Sequence, residues 1–408
     1  MRETGLKAVA ADISFRQCRL FESVGRLASV RRGSEECNLS QPAVTQALGK
    51  LEQQIGEVLL QRRASGSYLT DPGKVLHLRV QRLFSQMESA LVDLGFAAPT
   101  TAASMANRIS RSQVRSLTAV IEGGSLAKAA ENLELTQASL QRAIRHLEGN
   151  LGRSVFHRTS AGVMVTAEGV ELGRRLKLAM QEIEWGLHEI EDAKGAQASQ
   201  IVLGTLPYGG SMLLASVLDE FIRAHPNADV RVLTEGAAEM MRRLRFGEVD
   251  LVVGIVQETT NSDLVNETFA HTRFRIVARR DHPLTRKDAV GQDDLAAHDW
   301  IVGLEGSSRR QCFENLFADR TPPRARIETS TLPIIRQLIA ESDRLTLMTS
   351  YELKHESHAL VALPYDPIKA RPAVGVTMRP DWLPTRVHAD FIDLIRRSVQ
   401  AGAEAEAA

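Results

Sequence analysis

Apolar residues recur every three to four positions through much of the first half of the chain, and they do so twice. Val44, Leu48, Leu51 and Ile55 form one helical stripe, and Leu140, Ile144, Leu147 and Leu151 form another, 96 positions further on. Each stripe begins behind a hydroxyl residue suited to cap a helix, Ser40 or Thr136. The repeat extends beyond the apolar positions. Ser40 to Glu52 parallels Thr136 to Glu148, and the offset of 96 continues without a gap through Gly56/Gly152, Leu60/Phe156, Arg62/Arg158, Thr70/Thr166 and Gly73/Gly169. The first 198 residues therefore hold two copies of one module.

Each copy predicts the same elements. In the second, Val114, Leu117, Val120 and Ile121 mark a helix stopped by Gly123-Gly124, Ser125 caps a helix bearing Leu126, Ala129, Ala130 and Leu133, and Thr136 caps a third. Arg62 to Thr70 and Arg158 to Thr166, each centred on a glycine, predict two-stranded hairpins. Long amphipathic helices follow, from about Pro72 to Phe96 and from about Ala167 to Ala193. Three helices and a hairpin make a winged helix-turn-helix, which lays its third helix in the DNA major groove. Copy one has Gly33-Ser34 where copy two has Ala129-Ala130; glycine inside a helix costs about 1 kcal/mol, so a looser second helix is expected in copy one.

These residues resemble the DNA-binding domain of LysR-type transcriptional regulators. The resemblance rests on Ser125 with Ala129-Ala130, Ser40-Gln41-Pro42-Ala43-Val44-Thr45, Leu51-Glu52, Leu147 to Gly152, Val155-Phe156-His157-Arg158, and the Leu69-Thr70/Pro72-Gly73 and Val165-Thr166/Glu168-Gly169 ends. Family members ordinarily carry one copy, and copy two has Ala138 for the family's Pro and Gln141 for its Ser or Thr. With the apolar stripe buried, Gln41, Pro42, Thr45, Gln46 and Lys50 face outward in copy one, as do Gln137, Ser139, Gln141, Arg142 and Arg145 in copy two. Gln suits adenine and Arg suits guanine in the major groove. Ser40, Thr136, Arg62, Arg63 and Arg158 suit phosphates. Taken singly, each of these side chains could equally be a solvated surface residue. The helices after the hairpins resemble the family's linker helix, which pairs between subunits. Here the two are expected to pair within one chain, with 97–104 as a flexible connector; the alternative is pairing with a second chain, and a homo-oligomer is expected.

The second half alternates differently. Residues 201–204, 229–234 and 251–254 read as strands and 212–225 and 239–245 as helices, predicting a parallel sheet with crossover helices. This half resembles the family's effector domain, two-lobed like periplasmic solute-binding proteins, on Phe221 to Pro226, Gly247 to Gly254 and Arg279 to Leu284. The resemblance implies an effector cleft met by Pro207, Tyr208, Gly209, Ser211, Gly254, Ile255, Ser307, Ser308, Thr329 and Ser330, and an effector that is a sugar or organic acid. For any one serine a helix cap is as good a reading. The expected fold is α/β overall: two mainly-α winged helix-turn-helix modules with linker helices at 12–96 and 107–194, then an effector domain at 199–395. Its lobes are expected over about 199–269 with 366–395, and about 270–365. The Ala- and Glu-rich end, 401–408, is expected to be disordered.

Charge at first argues against a nucleic-acid partner, because 50 Lys and Arg balance 50 Asp and Glu. The balance is uneven along the chain: residues 1–70 hold 10 basic and 7 acidic residues, and 108–166 hold 8 and 4, so the modules carry +3 and +4. Such small excesses limit nonspecific phosphate attraction. Three cysteines, Cys18, Cys37 and Cys312, show no metal-ligand spacing, so neither structural zinc nor a disulfide is expected. No signal peptide or 20-residue apolar run is present, which places the chain in the cytoplasm with no membrane partner. No nucleotide-binding or catalytic motif appears, and no cofactor is expected. The reading is an effector-controlled transcriptional regulator that binds double-stranded DNA. Two alternatives stand beside it, an effector-independent DNA-architectural protein and an enzyme with a DNA-binding appendage.

Overall fold

The structure, a computed structural model, describes residues 3–159, 162–195, 200–206, 209–256, 263–356, 358–365 and 368–407. It divides into two compact units, Met1–Ala198 and Ser199–Ala408.

The first unit runs α1 (Glu3–Asp12), α2 (Phe15–Leu27), α3 (Val30–Glu36), α4 (Gln41–Ile55), β1 (Leu60–Arg63), β2 (Gly66–Leu69) and α5 (Asp71–Asp93). It then repeats as α6 (Ala102–Arg108), α7 (Arg111–Gly123), α8 (Leu126–Asn132), α9 (Gln137–Leu151), β3 (Phe156–Thr159), β4 (Gly162–Val165) and α10 (Ala167–Ala193). The caps repeat with the elements. Ser14 and Ser110 make capping boxes with Gln17 and Gln113, and Ser40 and Thr136 accept from the Ala43 and Ser139 amides.

The Thr/Gly pair that ends each hairpin has a steric cause. Thr70 and Thr166 cap α5 and α10 by accepting from the amides of Gly73 and Gly169. A Cβ at Gly73 would lie 2.1 Å from the Leu59 carbonyl oxygen, and one at Gly169 would lie 2.6 Å from that of Val155. Gly33 also answers to a contact: its missing Cβ would fall 2.6 Å from a Val24 methyl, so the glycine brings α3 against α2. The cost to helix propensity is real, but close packing is what it permits.

One apolar core runs through both modules, with Phe15, Phe21, Leu83 and Met87 from the first and Leu117, Leu172, Ile183 and Leu187 from the second. The modules exchange their leading helices: α1 packs on α10, and α6 packs on α5. The expected connector, 97–104, keeps 98–101, Ala103 and Ser104 exposed, but it is short and anchored at both ends. Residues 102–104 open α6 with Ala102 and Ala106 buried, and Phe96 is buried under the Arg153 guanidinium, 4.0 Å from its ring centre. The linker helix accordingly stops at Asp93, before Phe96.

The second unit contains β5 (Gln200–Thr205), α11 (Gly209–Ala224), β6 (Asp229–Thr234), α12 (Ala237–Arg245), β7 (Leu251–Ile255), β8 (Val265–His271), β9 (Phe274–Arg279), α13 (Gln292–Ala296), β10 (Trp300–Val302) and α14 (Ser308–Leu316). It continues through β11 (Ala325–Glu328), α15 (Leu332–Ala340), β12 (Thr346–Thr349), α16 (Ser350–Glu356), β13 (Leu360–Ala362), β14 (Ala373–Met378) and α17 (Arg386–Ala407). Strands β6, β5 and β7 are parallel, as the alternation predicts, but β14 returns antiparallel between β7 and β8. Helices α11 and α17 cover one face of this sheet, while α12 contributes Met240, Met241 and Leu244 to a separate apolar cluster with Val252. A second group of strands, β12-β9-β13 with β10-β11 beside it, carries its own cores. The chain passes between the two groups after His271 and again before Ala373. The tail expected to be disordered continues α17 to Ala407, in keeping with the high helix propensity of Ala and Glu.

Among the described residues no helix is long and apolar enough to cross a membrane, and no group of three or more His, Cys, Asp or Glu side chains is placed to hold a metal. All three cysteines are free thiols, and burial pushes those of Cys18 and Cys312 up to about 12.

Gly73→Ala should lower the stability of the chain by about 1–3 kcal/mol, because backbone must move to admit the methyl group. Gly49→Ala, in the middle of α4 with nothing within 4 Å of the new Cβ, should raise it by up to about 1 kcal/mol. Thermal unfolding of the two variants checks both signs.

Candidate functional site

The outward faces of α4 and α9 form the first candidate site. Gln41, Pro42, Gln46 and Lys50 are exposed and Thr45 is half-buried, while Val44, Leu48, Leu51 and Ile55 are buried behind them. On α9, Gln137, Ser139, Gln141, Arg142 and Arg145 are exposed over buried Leu140, Ile144, Leu147 and Leu151. Ser40 and Thr136 sit exposed at the helix starts, where unpaired amides and the helix dipole favour an anion. The Thr136 hydroxyl also donates to the Ser139 hydroxyl at 2.9 Å.

Each hairpin is fastened to its helix by one carboxylate. Glu52 Oε1 accepts from the amides of Leu59 and Leu60 at 2.8 and 3.0 Å, and Glu148 Oε1 accepts from those of Val155 and Phe156 at 3.0 and 3.2 Å. The Leu-Glu pair of the repeat thus sets where each hairpin leaves its helix. Arg62 and Arg63 are exposed on β1, with Arg63 donating to Gln61 and lying over the Tyr68 ring. Arg158 lies in β3.

Helices α5 and α10 hold the modules together, and their polar contacts were not anticipated from the apolar pattern. Arg79 is fully buried. It donates to Glu182 Oε2 at 2.9 Å and to both carboxylate oxygens of Glu189 at 2.9 and 3.0 Å. Arg82 and Gln86 donate to Glu182 Oε1 at 2.9 and 2.7 Å, and Arg175 pairs with Asp93 at 2.6 Å. Residues early in one helix meet residues late in the other, so the helices are antiparallel. Arg79 with Glu189 and Arg175 with Asp93 are the same contact seen from the two copies, because 175 − 79 and 189 − 93 both equal the repeat offset of 96.

The expected effector residues that are described lie at or after the carboxyl ends of β5, β7, β10 and β11, with mixed roles. Pro207 and Tyr208 lie outside the described residues. Gly209 and Ser211 are in the first turn of α11, and Gly254, at φ +140°, and Ile255 end β7. Ser307 caps α14 by accepting from the Arg310 amide and donates to the Leu304 carbonyl; Thr329 accepts from the Thr331 amide. Ser308 and Ser330 are half-buried beside them. Behind Ser308, Arg309 and Glu352 form a buried pair in which Nη2 lies 2.9 Å from both carboxylate oxygens. Burial raises the Glu352 pKa, and Arg309 and the Thr349 groups oppose that rise.

Where the chain passes between its two strand groups, a recess of about 310 Å³ is lined by Arg273, Phe274, Arg275, Tyr365, Ile368, Lys369 and Arg371. Among the described residues no carboxylate lines it, and Arg273, Lys369 and Arg371 make no ion pair. Nothing in the local sequence marks these residues as neighbours, since the two segments lie far apart along the chain.

Glu148→Ala should remove the acceptor of two backbone amides and destabilise the first unit by about 1.5–3 kcal/mol, whereas Glu131→Ala, at an exposed position, should stay within about 0.5 kcal/mol of the parent. Denaturant unfolding of the two variants separates them.

Comparison with known proteins supplies the remaining findings. Residues 194–400 match the family model described as LysR substrate binding domain, and residues 15–74 and 112–170 each match that described as bacterial regulatory helix-turn-helix protein, lysR family. The chain is 29% identical over 393 residues to HTH-type transcriptional regulator GalR of Pseudomonas putida, covering 94% of this chain and 96% of that protein. It is 26% identical to the RuBisCO operon transcriptional regulator of Allochromatium vinosum, over 62% of this chain and 85% of that one. A solved full-length OxyR variant from Pseudomonas aeruginosa covers 71% of this chain and 93% of its own, at 18% identity and a TM-score of 0.51, a likeness of fold alone.

Proposed function

The chain belongs to the lysR family of bacterial helix-turn-helix transcriptional regulators, and on that premise we propose that it reads DNA with both of its modules, held as a pair within one chain, under the control of an organic anion. The observation that carries the reading is the buried contact of Arg79 with Glu182 and Glu189, which joins the two linker helices of a single chain.

In this reading Gln41, Pro42, Thr45, Gln46 and Lys50 of α4, and Gln137, Ser139, Gln141, Arg142 and Arg145 of α9, meet base edges. Glutamines take adenine, and Arg142 and Arg145 take guanine. Ser40, Thr136, Arg62, Arg63 and Arg158 meet phosphates and set the register. The effector lies against the loop after β5, the end of β7, Ser307-Ser308 and Thr329-Ser330. The separate recess that holds Arg273, Lys369 and Arg371 shares none of these residues, and its three cations favour an organic acid over a neutral sugar, because a recess lined by like charges attracts a counter-anion. Effector and DNA are linked reciprocally: whatever factor the effector applies to DNA affinity, DNA applies to effector affinity.

Footprinting on the region upstream of the protein's own gene tests the DNA reading. Gln141→Ala with Arg142→Ala, and separately Gln41→Ala with Thr45→Ala, should each weaken binding by about 1–3 kcal/mol for every bidentate pairing with a base that the truncation removes. A footprint unchanged by the α4 pair would remove the first module as a reader. Calorimetry against small carboxylates and sugars tests the effector: heat with a carboxylate is expected, and heat with a neutral sugar alone would overturn the anion assignment.

A further inference from the structure

We propose that the two modules are bound to pair as unlike partners, and that the DNA site is therefore two different half-sites in a fixed order rather than an inverted repeat. This rests on the reading of α4 and α9 as DNA readers. It begins at Gln86 and Glu182, which occupy equivalent positions of the repeat and hydrogen-bond to each other at 2.7 Å. The pseudo-twofold axis relating the two copies therefore passes between them. If like helices met, this position would face itself.

The surroundings of Arg79 are matched to α10 and not to α5. Its guanidinium meets Glu182 and Glu189 and lies 5.7 Å from the centre of the Trp185 ring. Its stem runs past Gly186, where a Cβ would lie 3.2–3.3 Å from Arg79 Cγ and Cβ. On α5 the equivalents of Glu182, Trp185, Gly186 and Glu189 are Gln86, Ser89, Ala90 and Asp93. A pair of α5 helices would bury each Arg79 against an amide and an added methyl, with one shorter carboxylate. A pair of α10 helices fails in the other direction: Arg175, in Arg79's place, would meet Glu182 and Glu189, but each Glu182 would face a second carboxylate where Gln86 now donates and Leu178 where Arg82 stands. Charge removed from water without a matching partner is strongly disfavoured, so both like pairings lose what the unlike one satisfies.

The reading faces have diverged in step. Thr45, Gln46, Gly49 and Lys50 of α4 correspond to Gln141, Arg142, Arg145 and His146 of α9. An inverted repeat would offer the same half-site to two different readers, and only one would be satisfied.

Selection from a random duplex library by the full chain, followed by footprinting, should enrich two unlike half-sites in one order. Duplexes carrying either half-site twice, inverted, should bind about tenfold or more weakly. Enrichment of an inverted repeat overturns the proposal, and failure to enrich any duplex counts against the DNA reading on which it rests. Pairing has a readout without DNA. Treated with a short bis-maleimide, which spans the length of an arginine side chain, the double variant Asp93→Cys, Arg175→Cys should be cross-linked between α5 and α10. Under mild oxidation Gln86→Cys alone should give no chain-to-chain disulfide, and such a disulfide would mean that two α5 helices meet, which also overturns the proposal.

Discussion

A guanidinium with no water beside it must be met by carboxylates and acceptors in the right places, and Arg79 is met by α10. Removing two charged groups from water costs several kcal/mol each before attraction returns any of it. The return depends on geometry, here two carboxylates within 3.0 Å and a third contact through Gln86. That demand fixes how the linker helices slide past one another. With the register fixed, the leading helix of each module reaches the linker helix of the other, and the apolar residues of both close into one core. The module pair is thus less two domains side by side than one body with two outward helix faces.

Most of this body was legible because its cues are local and occur twice. A capping hydroxyl, an apolar stripe and a terminating glycine lie within a few residues of each other, and seeing them again at a constant offset removes coincidence as an explanation. What escaped depends on partners distant in sequence. Gly33 reads as a weak helix position because its reason is Val24 on another helix. Residues 97–104 read as a connector by composition, yet Ala102 and Ala106 have α5 to pack on, and Phe96 has Arg153. The charges at 79, 182 and 189 were plain in the sequence, but recognising them as partners requires the antiparallel register that they themselves create.

The second unit shows the same division. Its parallel strands announce themselves by short apolar runs between helices, whereas the antiparallel return of β14 depends on where the chain comes back after its excursion through the second group of strands. Gly375 on β14 fits this return: a Cβ there would lie 1.9 Å from the Glu267 carbonyl oxygen of the neighbouring strand. The recess around Arg273 and Arg371 is assembled by that same return, from two segments that neither periodicity nor motif connects.

Joining both linker helices in one polypeptide also changes the arithmetic of dosage. When two separate chains must meet before a paired reader exists, the amount of reader rises with the square of chain concentration at low abundance. With α5 and α10 on one chain the pairing step is unimolecular, and the amount of paired reader follows the first power. If both modules read DNA as proposed, a cell holding only a few copies of this protein would not lose them to unpaired linker helices, and its response to small changes in expression would be proportionate rather than steep.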